Sequence, residues 1–350
     1  MNTNNITNTM RRTMIYTASA AVLVALTTTA VKAQSAAAKG APKTEAAGPK
    51  FPGKPITLYV GFAPGGAADT VARILADEMS KELGQRVLVD NRSGASGNIA
   101  TQVVLGNSAD GYSLLFAAIH LATNPALGGV KYDPLKDLTM VSQVTSVPVV
   151  MLASNTSGLK TPSDIAAAAK RVDGGLRVGS GGVGTSSHLA MEQFKRAQGI
   201  PMVHIPYRGG APANQDLMGG QIDMMFDLMS GSLKSMVDAN RIRPLAVMQA
   251  ERIPAMPDLK SAYELGLAPS TYIRSWQGIA VRAGTPKPVV TRLHQAVLAA
   301  AATASFRGRV ELQLGSQVVT SKKPDDFQMR YESELVRWGS LIKAANIKAE

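Results

Sequence analysis

Twice along this chain a buried strand runs through a glycine turn straight into an amphipathic helix, and that repetition constrains the fold more than any other feature. The first instance is the strand "ITLYVGF" (56–62), the turn "GFAPGGAADTVAR" (61–73) and the helix "ADTVARILADEMSKELG" (68–84). That helix ends at Gly84, a residue suited to a left-handed C-terminal turn. The second is the strand "LRVGS", the stretch "RVGSGGVGTSSHLAMEQF" (177–194) and a helix over 186–198. Between and after them come the strands "RVLVDN", "YSLLFAAI" (112–119), "MVHIPY", "IDMMFDL" and "RIRPLAVMQ". Helices are expected at "GNIATQVVLGN", at "TPSDIAAAAKR" (Thr161 as N-cap, Pro162 at the first helical position), and over 211–219, 286–303 and 324–346. Alternation of this kind makes a mostly parallel sheet with helices on its faces.

Two long extended segments, "VSQVTSVPVVMLAS" (141–154) and "SWQGIAVRAG" (275–284), stand at the junctions. Pro148 lies inside the first and suits an edge or crossing strand better than a central one. The expectation is an α/β protein of two lobes joined by crossing strands. Residues 51–151 with 275–350 form lobe 1 and 152–274 form lobe 2; each lobe is a mixed, mostly parallel sheet flanked by helices, with a ligand cleft between them. A chain of 350 residues, 45% hydrophobic, is long enough to bury two such cores.

The N-terminus predicts export. Arg11 and Arg12 precede a weakly apolar run over 14–29, and Val31-Lys32-Ala33 places small residues at −3 and −1 of a cleavage site. Residues 1–33 are expected to be a signal peptide and 34–50, rich in Ala, Gly, Pro and Lys, a flexible tether. The signal segment holds three basic residues and no acid, so its removal takes the net charge from +12 to +9. The remaining basic residues are dispersed among few aromatics, which fits a solvated surface rather than a nucleic-acid interface. There is no cysteine, so disulfides, iron–sulfur clusters and thiol catalysis are excluded.

Both glycine turns open a helix whose first N–H groups lack intrahelical partners and carry partial positive charge, an arrangement that receives carboxylate or phosphate. In an open α/β sheet such turns lie at the carboxyl ends of the strands, where ligands sit. One turn alone reads equally well as a tight connection; a pair facing each other across a cleft points to an anion site. Gly179, Gly181 and Gly184 spell G-x-G-x-x-G, but no acid follows "MVHIPY" to meet a ribose hydroxyl. Arg208 could meet a 2′-phosphate, so residue type leaves NADP open, while export from the cytoplasm argues against it. Neither turn carries the Lys-Ser/Thr of a phosphate loop.

Catalytic patterns are sparse. His120, His188, His204 and His294 show no metal-ligand spacing, and no G-x-S-x-G elbow occurs. Ser187 and His188 are consecutive on a helix and so point about 100° apart. Asp69 reads as a cap in its helix's first turn; Asp227, at a strand end, either reaches the cleft or caps the next helix.

Several long segments resemble one family. "PITLYVGFAPGGAADTVAR", "VDNRSGASGNIA", "GSGGVGTSSHLAMEQF", "HIPYRGGAPANQDLMGGQIDMMF" and "WQGIAVRAGTPKPVV" occur in the order and spacing of the extracytoplasmic solute receptors of tripartite tricarboxylate transporters, the TctC-like or Bug proteins. The resemblance spans about 51–346 and departs from the family at the long tether, at Ala68 and in "SNTSGLKTP", which lacks the proline common after the first crossing strand. It implies a type II-like periplasmic binding protein, exported through its signal peptide, that holds a small carboxylate between its lobes. Main-chain groups of Phe62, Ala63, Gly65 and Gly66 in one lobe and Gly184, Thr185, Ser186 and Ser187 in the other would cradle the carboxylate. His120, Thr123 and Asp227 would line the variable end. It implies a monomer that delivers its ligand, a di- or tricarboxylate, amino-acid-like or aromatic acid, to membrane components of the transporter. No cofactor, metal, nucleic acid or catalysis is expected. The alternatives are an exported hydrolase working in the same cleft through Ser187 and His188, and a receptor that senses without transporting.

Overall fold

In the computed structural model, which describes residues 51–344 and 346–348, the first glycine turn joins β1 (Ile56–Val60) to α1 (Ala67–Leu83). The expected signal peptide (1–33) and tether (34–50) lie outside the described residues. Then follow β2 (Val87–Asn91), α2 (Asn98–Gly106), β3 (Ser113–Ala118), α3 (His120–Leu127) and β4 (Leu138–Ser154). The next stretch holds α4 (Pro162–Arg171), β5 (Leu176–Ser180), α5 (Ser186–Gln198), β6 (Met202–Pro206), α6 (Gly210–Met218), β7 (Met224–Leu228), α7 (Gly231–Asp238) and β8 (Ile242–Val247). The chain returns through β9 (Arg274–Arg282), α8 (Lys287–Ala302), α9 (Ala304–Arg307), β10 (Gln317–Val318) and α10 (Pro324–Ala344).

The strand order is β2-β1-β3-β9-β4-β7-β5-β6, with β8 and β10 also paired to β4. β1 lies parallel to β2 and β3, and β5 parallel to β6 and β7, as two successive βαβ units require. Antiparallel β9 and β4 separate these two parallel sets. β4 serves both. Its first part, up to Pro148, pairs with β9 and β10; its second, from Val149, pairs with β7 and β8. Pro148, opposite Arg274 at the end of β9, therefore marks the hand-over between partners. β4 is the crossing strand that the proline suggests, and it lies in the middle of the sheet rather than at its edge.

Local chemistry sets the helix ends. Gly84 and Gly199 close α1 and α5 at φ 65° and 60°, conformations open to glycine without penalty. Thr161 and Pro162 begin α4 as its sequence predicts, and Asp164 Oδ2 accepts from the Thr161 amide at 2.8 Å. Apolar packing ties the two parallel sets together. One cluster runs from Leu115 and Met140 through Trp276 and Tyr331 to Phe194 and Phe226, with Trp276 and Phe327 edge to face at 5.5 Å. α10 supplies Phe327, Tyr331 and Trp338 to this core, and both indole N–H groups donate to the buried carboxylate of Glu334. The helices α3, α7 and α9 and the strand β10 go beyond the sequence reading, as do the short turns of helix at Ala95–Gly97, Pro269–Thr271 and Gly308–Gln313.

Candidate ligand-binding site

The first glycine turn is organised by Asp69. Its Oδ2 accepts from the Gly65 amide at 2.9 Å and from Arg73 Nε at 3.0 Å. Burial works against ionisation of this carboxyl, but the hydrogen bonds from Arg73 and Gly65 outweigh it and hold its pKa below the ordinary value. Asp69 thus has the structural role its position suggests. In the second turn, Ser187 Oγ accepts from the Gly181 amide at 2.8 Å and Thr185 Oγ donates to the Gly182 carbonyl at 2.6 Å. Each turn delivers the start of its helix, α1 or α5, to one shared cavity.

A third helix start meets them there. Gly209 and Gly210, from "YRGGAPANQ", open α6 and line the same cavity. A side chain at Gly210 would place its Cβ 2.5 Å from both carboxylate oxygens of Asp227, so glycine here makes room for that acid. The sequence signal, a Gly-Gly pair just ahead of a helix, repeats the pattern of the first turn and was open to the same reasoning.

Of the residues implicated by sequence, Phe62, Gly66, His120, Thr185, Ser186, Ser187 and Asp227 line the cavity. The other four sit around it with their polar groups engaged. The amide of Ala63 donates to the Arg208 carbonyl at 3.0 Å, that of Gly65 to Asp69, and that of Gly184 to His188 Nδ1 at 3.0 Å. Thr123 Oγ1 donates to the Gly184 carbonyl at 2.7 Å. Sequence reasoning overlooked Ala67, Ala68, Gly181, Gly209, Gly210, Ser275 and Gln277, which complete much of the lining.

Several buried polar atoms of the lining have no hydrogen-bond partner in the protein: both ring nitrogens of His120, Ser186 Oγ and Gln277 Nε2. Native interiors leave few such atoms, because each costs about 1–3 kcal/mol. His120 packs edge to face on Phe62 at 5.2 Å, and burial pushes its pKa down to about 3, so the ring is neutral. Asp227 is buried, which drives its pKa up to about 6 despite hydrogen bonds from Asn214 Nδ2 (2.7 Å) and its neighbour's amide, Leu228 N (2.8 Å). Among the described residues, none that lines the cavity is Lys or Arg. The positive charge that the cavity offers an anion is therefore that of helix ends rather than side-chain cations.

Ser187 and His188 have separate partners. Ser187 Oγ contacts Gly181 and Thr185, whereas the His188 ring accepts from Gly184 and stacks on His204 at 3.9 Å. Burial, reinforced by His204 and Lys195, lowers the His188 pKa to about 3, far from that of a base working near neutrality.

A mixed α/β sheet whose glycine turns meet around one cavity is the arrangement of a solute-binding receptor. Comparison with known proteins gives the family. The profile described as "Tripartite tricarboxylate transporter family receptor" matches residues 71–347. The UPF0065 protein of the tcbD-tcbE intergenic region of a Pseudomonas species is 31% identical over 331 residues, 94% of each chain. Protein BugT of Bordetella pertussis is 29% identical over 304 residues, covering 85% of this chain and 91% of its own. Among solved structures, the periplasmic binding protein BugD superposes with a TM-score of 0.80 at 32% identity, covering 86% of this chain and all of BugD. MatC of Rhodopseudomonas palustris, solved with malate, gives 0.77 at 30% identity over 83% of this chain and all of its own. A second R. palustris protein, solved with adipate, gives 0.80 at 32% identity over 85% of this chain and 99% of its own. The chain belongs to the tripartite tricarboxylate transporter receptor family, and its fold is that of the periplasmic binding proteins.

Proposed function

We infer that this protein is an exported receptor that closes its two lobes, 51–151 with 275–350 and 152–274, around a small organic carboxylate. It then presents the closed form to the membrane components of a tripartite transporter. The observation that carries the reading is the convergence of the α1, α5 and α6 starts on one cavity whose lining holds unpartnered buried polar atoms. The first-turn amides of Gly66, Ala67, Ser186 and Ser187 are the donors assigned to the carboxylate. The bound malate and adipate of two relatives support a carboxylate as the ligand class.

Energetics permit the assignment. Each charge-assisted hydrogen bond contributes roughly 1.5–3 kcal/mol, and each partly buried helix end up to ~2 kcal/mol. After ordering costs, a micromolar dissociation constant, about −8 kcal/mol, needs no arginine clamp. No helix among the described residues is long and apolar enough to cross a membrane, which accords with a receptor working beside its transporter. The polar partners of Ser187 and His188 favour a receptor over a hydrolase using that pair.

The test is a thermal-shift screen of organic acids with the wild-type chain and Ser186→Pro. Ser186 is the first residue of α5 and Thr185 before it is extended (φ −73°, ψ 164°), so proline fits and removes the amide donor together with the hydroxyl. Stabilisation by an acid in the wild type, reduced in the variant, is expected. Equal stabilisation of both would remove α5 from the site.

A further inference from the structure

Arg274 opens β9 opposite Pro148, at the point where β4 exchanges partners. Its side chain is half-buried, and its hydrogen bonds go to neutral oxygens. Nε donates to Ser146 Oγ at 2.9 Å, one terminal nitrogen to the Ser146 carbonyl at 2.6 Å, and the other to Gln249 Oε1. The Gln249 oxygen is turned towards it because Gln249 Nε2 donates to the Glu251 carbonyl at 2.9 Å. A guanidinium carries five N–H donors, so two of those on Arg274 have no partner among the described residues. A charge taken out of water without a counter-charge is costly.

A cavity of about 270 Å³ opens beside this guanidinium, lined also by the segment after β8 and by the turn into β10. It shares no lining residue with the cavity at the helix starts. Ser316 lines it, is 2% exposed, and carries a hydroxyl without a hydrogen-bond partner in the protein. Gly315 brings the chain in close at this point: its φ is 58°, and a Cβ there would lie 3.0 Å from Ile253 Cβ.

The other charged residues of the lining are engaged or exposed. Arg252 donates through all three nitrogens, to Glu264 and to the Pro257 carbonyl, and Glu311 pairs with Arg307 at 3.0 Å. Glu251 is exposed; it favours the charged form of Arg274 but does not offset the burial that lowers the Arg274 pKa. Arg274 is thus the lining cation with donors to spare, and Ser316 adds a hydroxyl with nothing to bind.

We propose that Arg274 and Ser316 form a second anion site, separate from the helix-start cavity, that takes a small oxyanion: inorganic phosphate or the carboxylate of a small acid. A planar guanidinium suits the oxygens of either group, and the serine hydroxyl supplies a further donor. The anion joins β9, the segment after β8 and the turn into β10, which all meet β4 near its hand-over at Pro148. The site stands whatever the helix starts hold.

An NMR titration of the full chain, with isotope-labelled arginine, tests it. The readout is the Arg274 Nε–H signal, identified by its contacts to Ser146. Following the site at its own residue separates it from any anion held at the helix starts. At constant ionic strength, inorganic phosphate or acetate is expected to shift this signal saturably, and chloride is not. Saturation by phosphate alone assigns a phosphate group and saturation by acetate alone a carboxylate; either supports the site. Ser316→Ala is expected to weaken binding about tenfold through loss of a hydrogen bond to a charged acceptor, with the melting temperature of the anion-free protein unchanged. Glu251→Gln removes an exposed like charge and is expected to tighten binding about two- to fivefold. No saturable shift with either oxyanion overturns the site, as does an equal shift with chloride. Identical affinity in the wild type and both variants would mean an ion drawn to Arg274 alone, and overturns it as well.

Discussion

Thr123, in α3, donates its hydroxyl to the carbonyl of Gly184, 61 residues away in the second glycine turn, at 2.7 Å. Two further hydrogen bonds link the same two regions: Ala63 N to the Arg208 carbonyl at 3.0 Å and Ser232 Oγ to the Gly65 carbonyl at 2.6 Å. Together they tie the β1–β3 side of the cavity to the β5–β7 side. Thr123 therefore joins α3 to the second glycine turn rather than lining the cavity. Thr123→Val keeps the shape and leaves the buried Gly184 carbonyl unpaired, a cost of about 1–3 kcal/mol. Ligand affinity is expected to fall tenfold or more, measured by titration calorimetry, with a lower melting temperature for the bound protein.

Neighbouring serines in α5 should separate stability from binding. Ser187 Oγ accepts from the Gly181 amide, so Ser187→Ala strands a buried donor and is expected to destabilise the unliganded protein by about 1–2 kcal/mol. Ser186 Oγ has no partner, so Ser186→Ala is expected to leave that stability unchanged or slightly raised while weakening ligand binding. Denaturant unfolding with and without ligand distinguishes the two variants.

The stacked pair His188 and His204 predicts acid sensitivity. Burial, with smaller contributions from neighbouring charges, takes their folded values to about 3 and about 4, below the ordinary 6.5. The unfolded chain thus binds more protons across that interval, and the stability these rings confer is complete above pH 6.5 and lost as pH falls towards 4 and below. His188→Asn retains an acceptor in place of Nδ1 for the Gly184 amide but does not titrate. Unfolding between pH 7 and 4 is expected to show a shallower loss of stability in the variant than in the wild type, with each titrating group contributing up to ~1.4 kcal/mol per pH unit.

Asp227 has the opposite sign. Its folded value of about 6 lies above the ordinary 3.8, so the folded protein binds more protons between these limits. Its contribution is fully present below pH 3.8 and is lost as pH rises through 6. Asp227→Asn removes the buried charge, and Asn214, whose Oδ1 has no partner, can turn its amide to accept from the new NH2. The variant is expected to be more stable than the wild type at pH 7.5, by an amount on the order of 1–3 kcal/mol, with the gain vanishing near pH 4. Chemical denaturation at the two pH values checks this.

Much of this architecture was legible in the sequence because it is written in local chemistry. Buried strands, Gly84 as a helix stop, Thr161 with Pro162 as a start, and Pro148 at a crossing all act within a few residues. α3 was hidden by its length and by Pro125, and α7 and β10 by their brevity; tertiary packing rather than propensity holds such short elements. At the candidate site, the glycine turns announced two helix starts. The third, legible as the start of a helix over 211–219, was not assigned to the site although "RGGAP" carries the same signal. Gln277 and Ser275 could not be read at all, because their place at the cavity depends on the pairing of β9 with β4. Sequence also cannot tell which turn amides stay free: those of Ala63, Gly65 and Gly184 are taken by acceptors that only the fold brings near.

Titration calorimetry of a bound acid against its own methyl ester tests the central claim most directly. If the helix starts hold a carboxylate, the acid binds one to one, and esterification, which removes the charge and one oxygen's capacity to accept, abolishes measurable binding. An ester that binds as tightly as the acid would contradict the account.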